Sequence, residues 1–176
     1  MAFRHEHRLV GVLEDASGEH DDEVVLRLSI EEMALGVSEG FLRLKTKEGS
    51  GDDIHEESLL RAVTGTCVAN ENTGLDEATL LRIRVFADLW HRGYFVAFGS
   101  KFGADFLIYQ GDPDSHHSIA MIMVKEWTAS FGSVDIVSHC RMAKMVKKQI
   151  TWASVHEGGV KYITLDHSLL VARQAN

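Results

Sequence analysis

A tyrosine, a histidine pair and a lysine pair are the side chains of this sequence best suited to chemistry. Tyr109, His116 and His117 lie in or beside GSKFGADFLIYQGDPDSHHS, Gly99–Ser118, on either side of Pro113, the only proline in 176 residues. Lys147 and Lys148 follow about thirty residues later. A phenol, an imidazole and an ammonium group can take up a proton, deliver one and offset growing negative charge, the tasks that cleavage of a phosphodiester requires. No nucleotide-binding glycine loop, zinc-ligand spacing or serine-type triad elsewhere in the chain competes with them.

Each group also has an ordinary structural reading. Alternation in DFLIY puts Phe106 and Ile108 on one face and Asp105, Leu107 and Tyr109 on the other, so Tyr109 alone reads as an amphipathic strand residue. The GDP turn re-aims the chain, and Pro113 fixes its backbone so that the flanking residues can face one another. A histidine pair is usually a surface feature, and a metal site would need a third ligand that is not nearby. As neighbours entering a strand, His116 and His117 should point to opposite faces, so at most one meets Tyr109. Spacing does not choose between them. Arg141, Lys144 and Lys148 recur at i, i+3 and i+7, which aligns them on one helical face with Met142, Met145 and Val146 free to face a core. A solvated basic face that favours the helix C-terminus has the same spacing.

These groups need a scaffold, and the composition allows one. Forty-five per cent hydrophobic residues, a single proline and no long low-complexity tract indicate a folded chain with one substantial core or two small ones packed together. No run approaches the ~20 apolar residues of a membrane span, and MAFRHEHRLV lacks the apolar core of a signal peptide. Cys67 and Cys140 lie outside any CxxC spacing and are expected to be reduced, buried thiols, which fits an intracellular setting. A net charge of −8 argues against a nucleic-acid partner until its distribution is considered. Residues 1–75 carry 16 acids and 7 bases, whereas residues 76–176 carry 10 acids and 11 bases. The C-terminal part can therefore hold a local basic site.

The elements divide at the same point. In residues 1–75, a small α+β unit, Arg8–Leu13 and Val24–Leu28 have strand character. Ser29 with Glu32 forms a capping box for a helix that Gly40 ends, and FLRLKT returns as a strand. KEGSGDDIHEE reads as a loop, and no structure is assigned to Ser58–Thr73. In residues 76–176, Asp76 caps a helix carrying Leu80, Ile83, Phe86, Ala87 and Trp90, which runs to Gly93. The strands YFVAF, DFLIY and SIAMIMV follow. A helix from about Val134 to Lys147 comes next, then a hairpin of ITWASV and VKYITL around HEGG. This order predicts a mixed sheet with helices packed on it.

The sequence resembles the tRNA-splicing endonuclease family. The pattern is KFGxDFxxY, a histidine followed by a small residue, and a helix ending in V-[RK]-K before a strand; here these read KFGADFLIY, HHS and MVKKQITWAS. VFADLWHRGYFVAFGSKFG and the GDP after the tyrosine are most similar to the eukaryotic catalytic subunit assigned to the 3′ splice site. SIEEMALGVSEGFLRL resembles that family's small N-terminal domain. The resemblance implies an α+β fold, with a small N-terminal α/β domain (1–75) and a C-terminal mixed-sheet nuclease domain with flanking helices (76–176). It implies a lyase-type RNA endonuclease that cuts pre-tRNA at an intron boundary by metal-independent transesterification, leaving a 2′,3′-cyclic phosphate and a 5′-hydroxyl. No cofactor or metal is expected.

Carried over residue by residue, the resemblance makes Tyr109, His117 and Lys148 catalytic. Tyr109 would take the 2′-hydroxyl proton or orient the hydroxyl, His117 would protonate the leaving oxygen, and Lys148 would stabilise the phosphoryl charge. Arg141 would stack on an RNA base, with Lys144 also binding substrate. His167 falls where relatives carry a second stacking Trp or Arg, a departure that weakens a two-sided clamp. The implied partners are intron-containing pre-tRNA and other endonuclease subunits, with no membrane. Glu157 is the only acid in SVHEGGVK, where relatives present an acidic loop to a partner, so this chain suits receiving such a loop in a heteromer; a homo-oligomer is the alternative. The apolar C-terminal strand LDHSLLVA would join an interface. The location implied is the nucleus for a eukaryotic source and the cytoplasm for an archaeal one. The competing functional reading is a noncatalytic RNA-binding or assembly subunit of the same complex.

Overall fold

A computed structural model describes residues 2–15, 24–45, 55–69 and 74–165. Its central element is helix α4, Glu77–His91 (α1 to α3 precede it and are placed below). The Asp76 carboxylate accepts the Thr79 backbone N–H at 2.7 Å, and hydrogen bonding to the Thr79 side chain and then to this N–H holds the carboxyl below its ordinary value. After the helix, Gly93 turns into the left-handed region at φ 94°, where a missing Cβ removes the steric cost. Ile83, Phe86 and Ala87 are buried, and Leu80 and Trp90 pack at the core edges, as the helical spacing predicts.

Helix α4 lies under a five-stranded sheet of order β3 (Phe95–Phe98), β4 (Phe106–Tyr109), β5 (Ala120–Val124), β6 (Gln149–His156) and β7 (Gly159–Leu165). Neighbours are antiparallel except β5 and β6, which are parallel and joined through helix α5, Ser133–Met145. Alternation divides the sheet between two cores. Phe106, Ile108, Ala120, Ile122 and Ala153 pack on the α4 side with Phe86. Leu107, Met121, Met123, Ile150 and Trp152 pack on the α5 side. Helices with this mixed sheet make an α+β fold, as the element order predicts.

The N-terminal elements are α1 (Ala2–Glu6), a hairpin of β1 (Val12–Asp15) and β2 (Val24–Arg27), α2 (Ile30–Ser38) and α3 (Glu56–Thr64). The capping box of α2 forms as predicted, and Gly40 ends the helix at φ 78°. The buried Glu32 carboxylate also accepts the Val10 and Gly11 N–H groups at 2.8 and 2.9 Å, tying the chain before β1 to α2.

Other expectations are corrected. Arg8–Leu13 is not one strand, because Arg8 and Gly11 adopt φ 51° and 48° and interrupt it; pairing begins at Val12. Phe41–Lys45 is not a strand either. Its Phe41 and Leu42 N–H groups return to the Gly36 carbonyl, and Leu42 and Leu44 use their alternation to pack against α2 and α3. The end of the expected loop and part of Ser58–Thr73 form α3, which buries Leu59 and Ala62. Cys67 and Cys140 are free, as expected, but only half-buried. Among the described residues, no helix is long and apolar enough to cross a membrane.

Candidate active site

Three strand ends meet at one edge of the sheet. Ile108 pairs with Ala120, and Ala120 with Gln149, so the next residues outward are Tyr109, Ile119 and Lys148. The ladder continues through Ile119 N–H to the Ile108 carbonyl at 2.9 Å and Gln149 N–H to the Ile119 carbonyl at 3.2 Å. Tyr109 shares the face of Leu107, and Lys148 that of Ile150. Both therefore sit on the α5 side. Tyr109 is half-buried against the Leu107, Met121 and Ile150 cluster. Lys148 lines a cavity of about 200 Å³ with Cys140, Ala143, Lys144, Lys147 and Ile150.

The two histidines differ in their surroundings. Neither lies in a strand, since β5 begins at Ala120, and their placement is decided by the turn. The His116 ring Nδ1 lies 2.9 Å from Ser115 Oγ and 3.2 Å from the Asp112 carbonyl. The ring covers Gly111 so closely that a Cβ there would fall 2.6 Å from it, which explains the glycine. Both histidines are exposed, and His116 is the one whose ring is engaged in the turn. Ser118 is buried, and its carbonyl accepts the Lys148 ammonium at 2.9 Å.

Lys148 leaves the helix to make that contact. Helix α5 ends at Met145; the Lys147 N–H returns to the Lys144 carbonyl and the Lys148 N–H to the Ala143 carbonyl. Lys147 carries the left-handed step at φ 53°. A lysine there replaces the usual glycine of this helix ending. The expected common helical face therefore holds only for Arg141 and Lys144, both exposed, and not for Lys148. Met145 does not face the core either: it is 85% exposed, whereas Met142 and Val146 pack inward. His167 and the strand LDHSLLVA beyond Leu165 lie outside the described residues.

The sequence reading overlooked Asp112. Its carbonyl accepts the Ser115 and His116 N–H groups, and its Oδ1 accepts the Asp114 N–H at 2.9 Å. The signal was an aspartate directly before proline, a common turn organiser. Asp105 is a second structural residue of the KFGADF segment: its carboxylate accepts the Val124 N–H at 2.7 Å and fixes β4 against β5. Among the described residues, no group of three His, Cys, Asp or Glu side chains is placed to hold a metal ion.

A mixed sheet with this converging edge corresponds to a defined domain class. Residues 79–162 match the family model of the tRNA intron endonuclease catalytic C-terminal domain, a span that includes Tyr109, His117, Arg141, Lys144 and Lys148. Mouse tRNA-splicing endonuclease subunit Sen34 is 37% identical over 93 residues, covering 51% of this chain and 29% of the relative. The tRNA-splicing endonuclease of Methanopyrus kandleri is 34% identical over 82 residues, 45% of this chain and 46% of the relative. That of Methanothermobacter thermautotrophicus is 26% identical over 144 residues, 80% of this chain and 76% of the relative. Residues 79–162 therefore belong to the tRNA intron endonuclease catalytic-domain family, and the chain spans less than half the length of the first two of these relatives.

Proposed function

We propose that this chain is a catalytic subunit of a tRNA-splicing endonuclease and cleaves intron-containing pre-tRNA at an intron boundary. The reaction is a transesterification. The 2′-hydroxyl attacks the adjacent phosphorus and loses its proton, the phosphorus–5′-oxygen bond breaks, and the products are a 2′,3′-cyclic phosphate and a 5′-hydroxyl. Tyr109 accepts or orients the 2′-hydroxyl proton, His117 delivers a proton to the 5′-oxygen, and Lys148 offsets charge on the phosphoryl oxygens. Arg141 and Lys144, exposed on α5, bind the RNA, with His167 as a further binding residue.

The observation that carries this reading is the hydrogen bond from Lys148 to the Ser118 carbonyl. It ties the start of β6 to the residue after His117, beside the end of the strand that bears Tyr109. An ammonium group has three donors, and this bond uses one, leaving two for phosphoryl oxygens. The chain would act with other endonuclease subunits, preferentially in a heteromer.

Labelled intron-containing pre-tRNA, incubated with this chain alone and with partner subunits, tests the reading. Cleavage should persist in EDTA and leave a cyclic phosphate, and His117→Ala should reduce it at least ~10²-fold. If His117→Ala cuts as well as the parent, the acid assignment is wrong. If no assembly containing the chain depends on Tyr109, His117 or Lys148 for cleavage, the noncatalytic assembly role applies instead.

A further inference from the structure

We propose that α1 is a clasp that positions the turn bearing the general acid, with His5 gripping Asp112 and Arg4 gripping Asp114 as positioning residues. The inference rests on the assignment of His117 as the acid. His5 Nε2 lies 3.1 Å from Asp112 Oδ2, and Arg4 Nη1 lies 3.4 Å from Asp114 Oδ2. These carboxylates flank Pro113 in the turn between Tyr109 and His117.

Asp112 is engaged on every side. Its Oδ1 and carbonyl hold the turn internally, as described above, and its remaining carboxylate oxygen faces His5. The only group joining Asp112 to α1 is therefore the one that does not build the turn. The His5 ring also meets the edge of Phe95 at 6.0 Å and 76°, and Phe95 is the register partner of Tyr109. One short helix thus touches the turn within the Tyr109–His117 segment and the residue paired with Tyr109.

A clasp must itself be held, and α1 is. Leu9, three residues after it, is buried in the α4-side core, and its N–H returns to the Arg4 carbonyl at 2.9 Å. The Trp90 indole donates to the His7 carbonyl at 2.8 Å, and Arg8 donates to the Trp90 carbonyl at 3.0 Å while lying over the Trp90 ring. The His7 ring stacks on Phe41 at 4.1 Å. The position of α1 is set by α4, and α1 passes that position to the turn. His5 and Asp114 are each 68% exposed, so these pairs contribute little to global stability. A small displacement of an acid from its leaving group, by contrast, is expensive in rate.

The test compares two pre-tRNA substrates under single-turnover conditions in the assembly that cleaves them. One carries the normal 5′-oxygen at the scissile linkage, and the other carries sulfur there, which leaves as a thiolate and needs no general acid. Arg4→Ala with His5→Ala should slow the oxygen substrate about 10-fold at saturating RNA, leave its KM within about twofold, and leave the sulfur substrate unchanged. Replacing His5→Ala by His5→Gln, whose amide can still donate to Asp112, should recover much of the rate. Asp112→Asn, which keeps an acceptor for the Asp114 N–H but loses the carboxylate facing His5, should reproduce the selective loss. Equal slowing of both substrates, or no slowing of either, overturns the clasp. His117→Ala, run in parallel, should also spare the sulfur substrate. If it does while the α1 variants change nothing, the clasp alone fails; if it slows both substrates alike, the acid assignment beneath it fails.

Discussion

The two faces of the five-stranded sheet are built differently. On the α4 face, Phe86 meets Phe106 edge-on at 5.7 Å in a closed apolar core. Polar cross-links pin α4 to the last hairpin: the Tyr162 hydroxyl donates to Asp88 Oδ2 at 2.6 Å and Arg84 donates to the Gly158 carbonyl at 2.6 Å, while Arg92 Nε, at the end of α4, also donates to Asp88 Oδ2. On the opposite face, α5 fully buries only Ala143 of its 13 residues, leaving Val134, Val137 and Met145 exposed. The closed face holds the strands in register. The open face leaves Lys148 lining a solvent-reachable cavity and Tyr109 half-buried on the same side. The closely packed core and the candidate groups Tyr109 and Lys148 therefore lie on opposite sides of one sheet.

Substitutions on each face should break this division in opposite ways. Phe86→Ala should cost about 3–5 kcal/mol, read by denaturant unfolding, because the packed α4 face cannot collapse around the void. Lys148→Ala should lower cleavage ~10²–10³-fold and leave the unfolding midpoint nearly unchanged. A large stability loss would show that the open face is also structural.

Tyr162→Phe should cost about 1–2 kcal/mol at neutral pH by deleting the bond to Asp88. Burial, and then that bond, raise the Tyr162 phenol well above its ordinary value. A group raised in the folded state contributes fully below its unfolded pKa of ~10. That contribution is lost as pH rises from there through the folded value. The parent should therefore lose stability above about pH 10, and the difference between parent and Tyr162→Phe should narrow in that range. A difference independent of pH would contradict the assigned cause.

Lys147→Gly should stabilise by about 1 kcal/mol, since glycine removes the cost of the left-handed step at the end of α5. That gain corresponds to a rise of roughly 2–4 °C in Tm for a chain of this size. Val134→Ser, on the exposed side of α5, should change stability by less than ~0.5 kcal/mol.

Much of the fold was legible because its signals are local. The Asp76 and Ser29 caps act within three or four residues, and each forms as read. The alternation in DFLIY placed Phe106 and Ile108 opposite Leu107 and Tyr109, and the packing agrees. The errors arose where one local pattern served a different purpose. Alternation in FLRLKT reads as a strand, yet Leu42 and Leu44 pack half-buried against helices, and among the described residues no strand pairs with this segment. Helical spacing carried Lys148 onto the face of Arg141, yet the left-handed Lys147 turned the chain there toward β6, which begins at Gln149.

By itself, the sequence determined the α+β class, the sheet faces, the caps, and the candidate groups Tyr109, His117 and Lys148 through family resemblance. Periodicity and capping act between near neighbours, so they can be read along the chain. Only the tertiary structure engaged the His116 ring in the turn beside His117, joined Lys148 to Ser118, and brought His5 against Asp112. Those contacts depend on how turns, strand ends and distant segments pack together, and neither periodicity nor capping encodes that geometry.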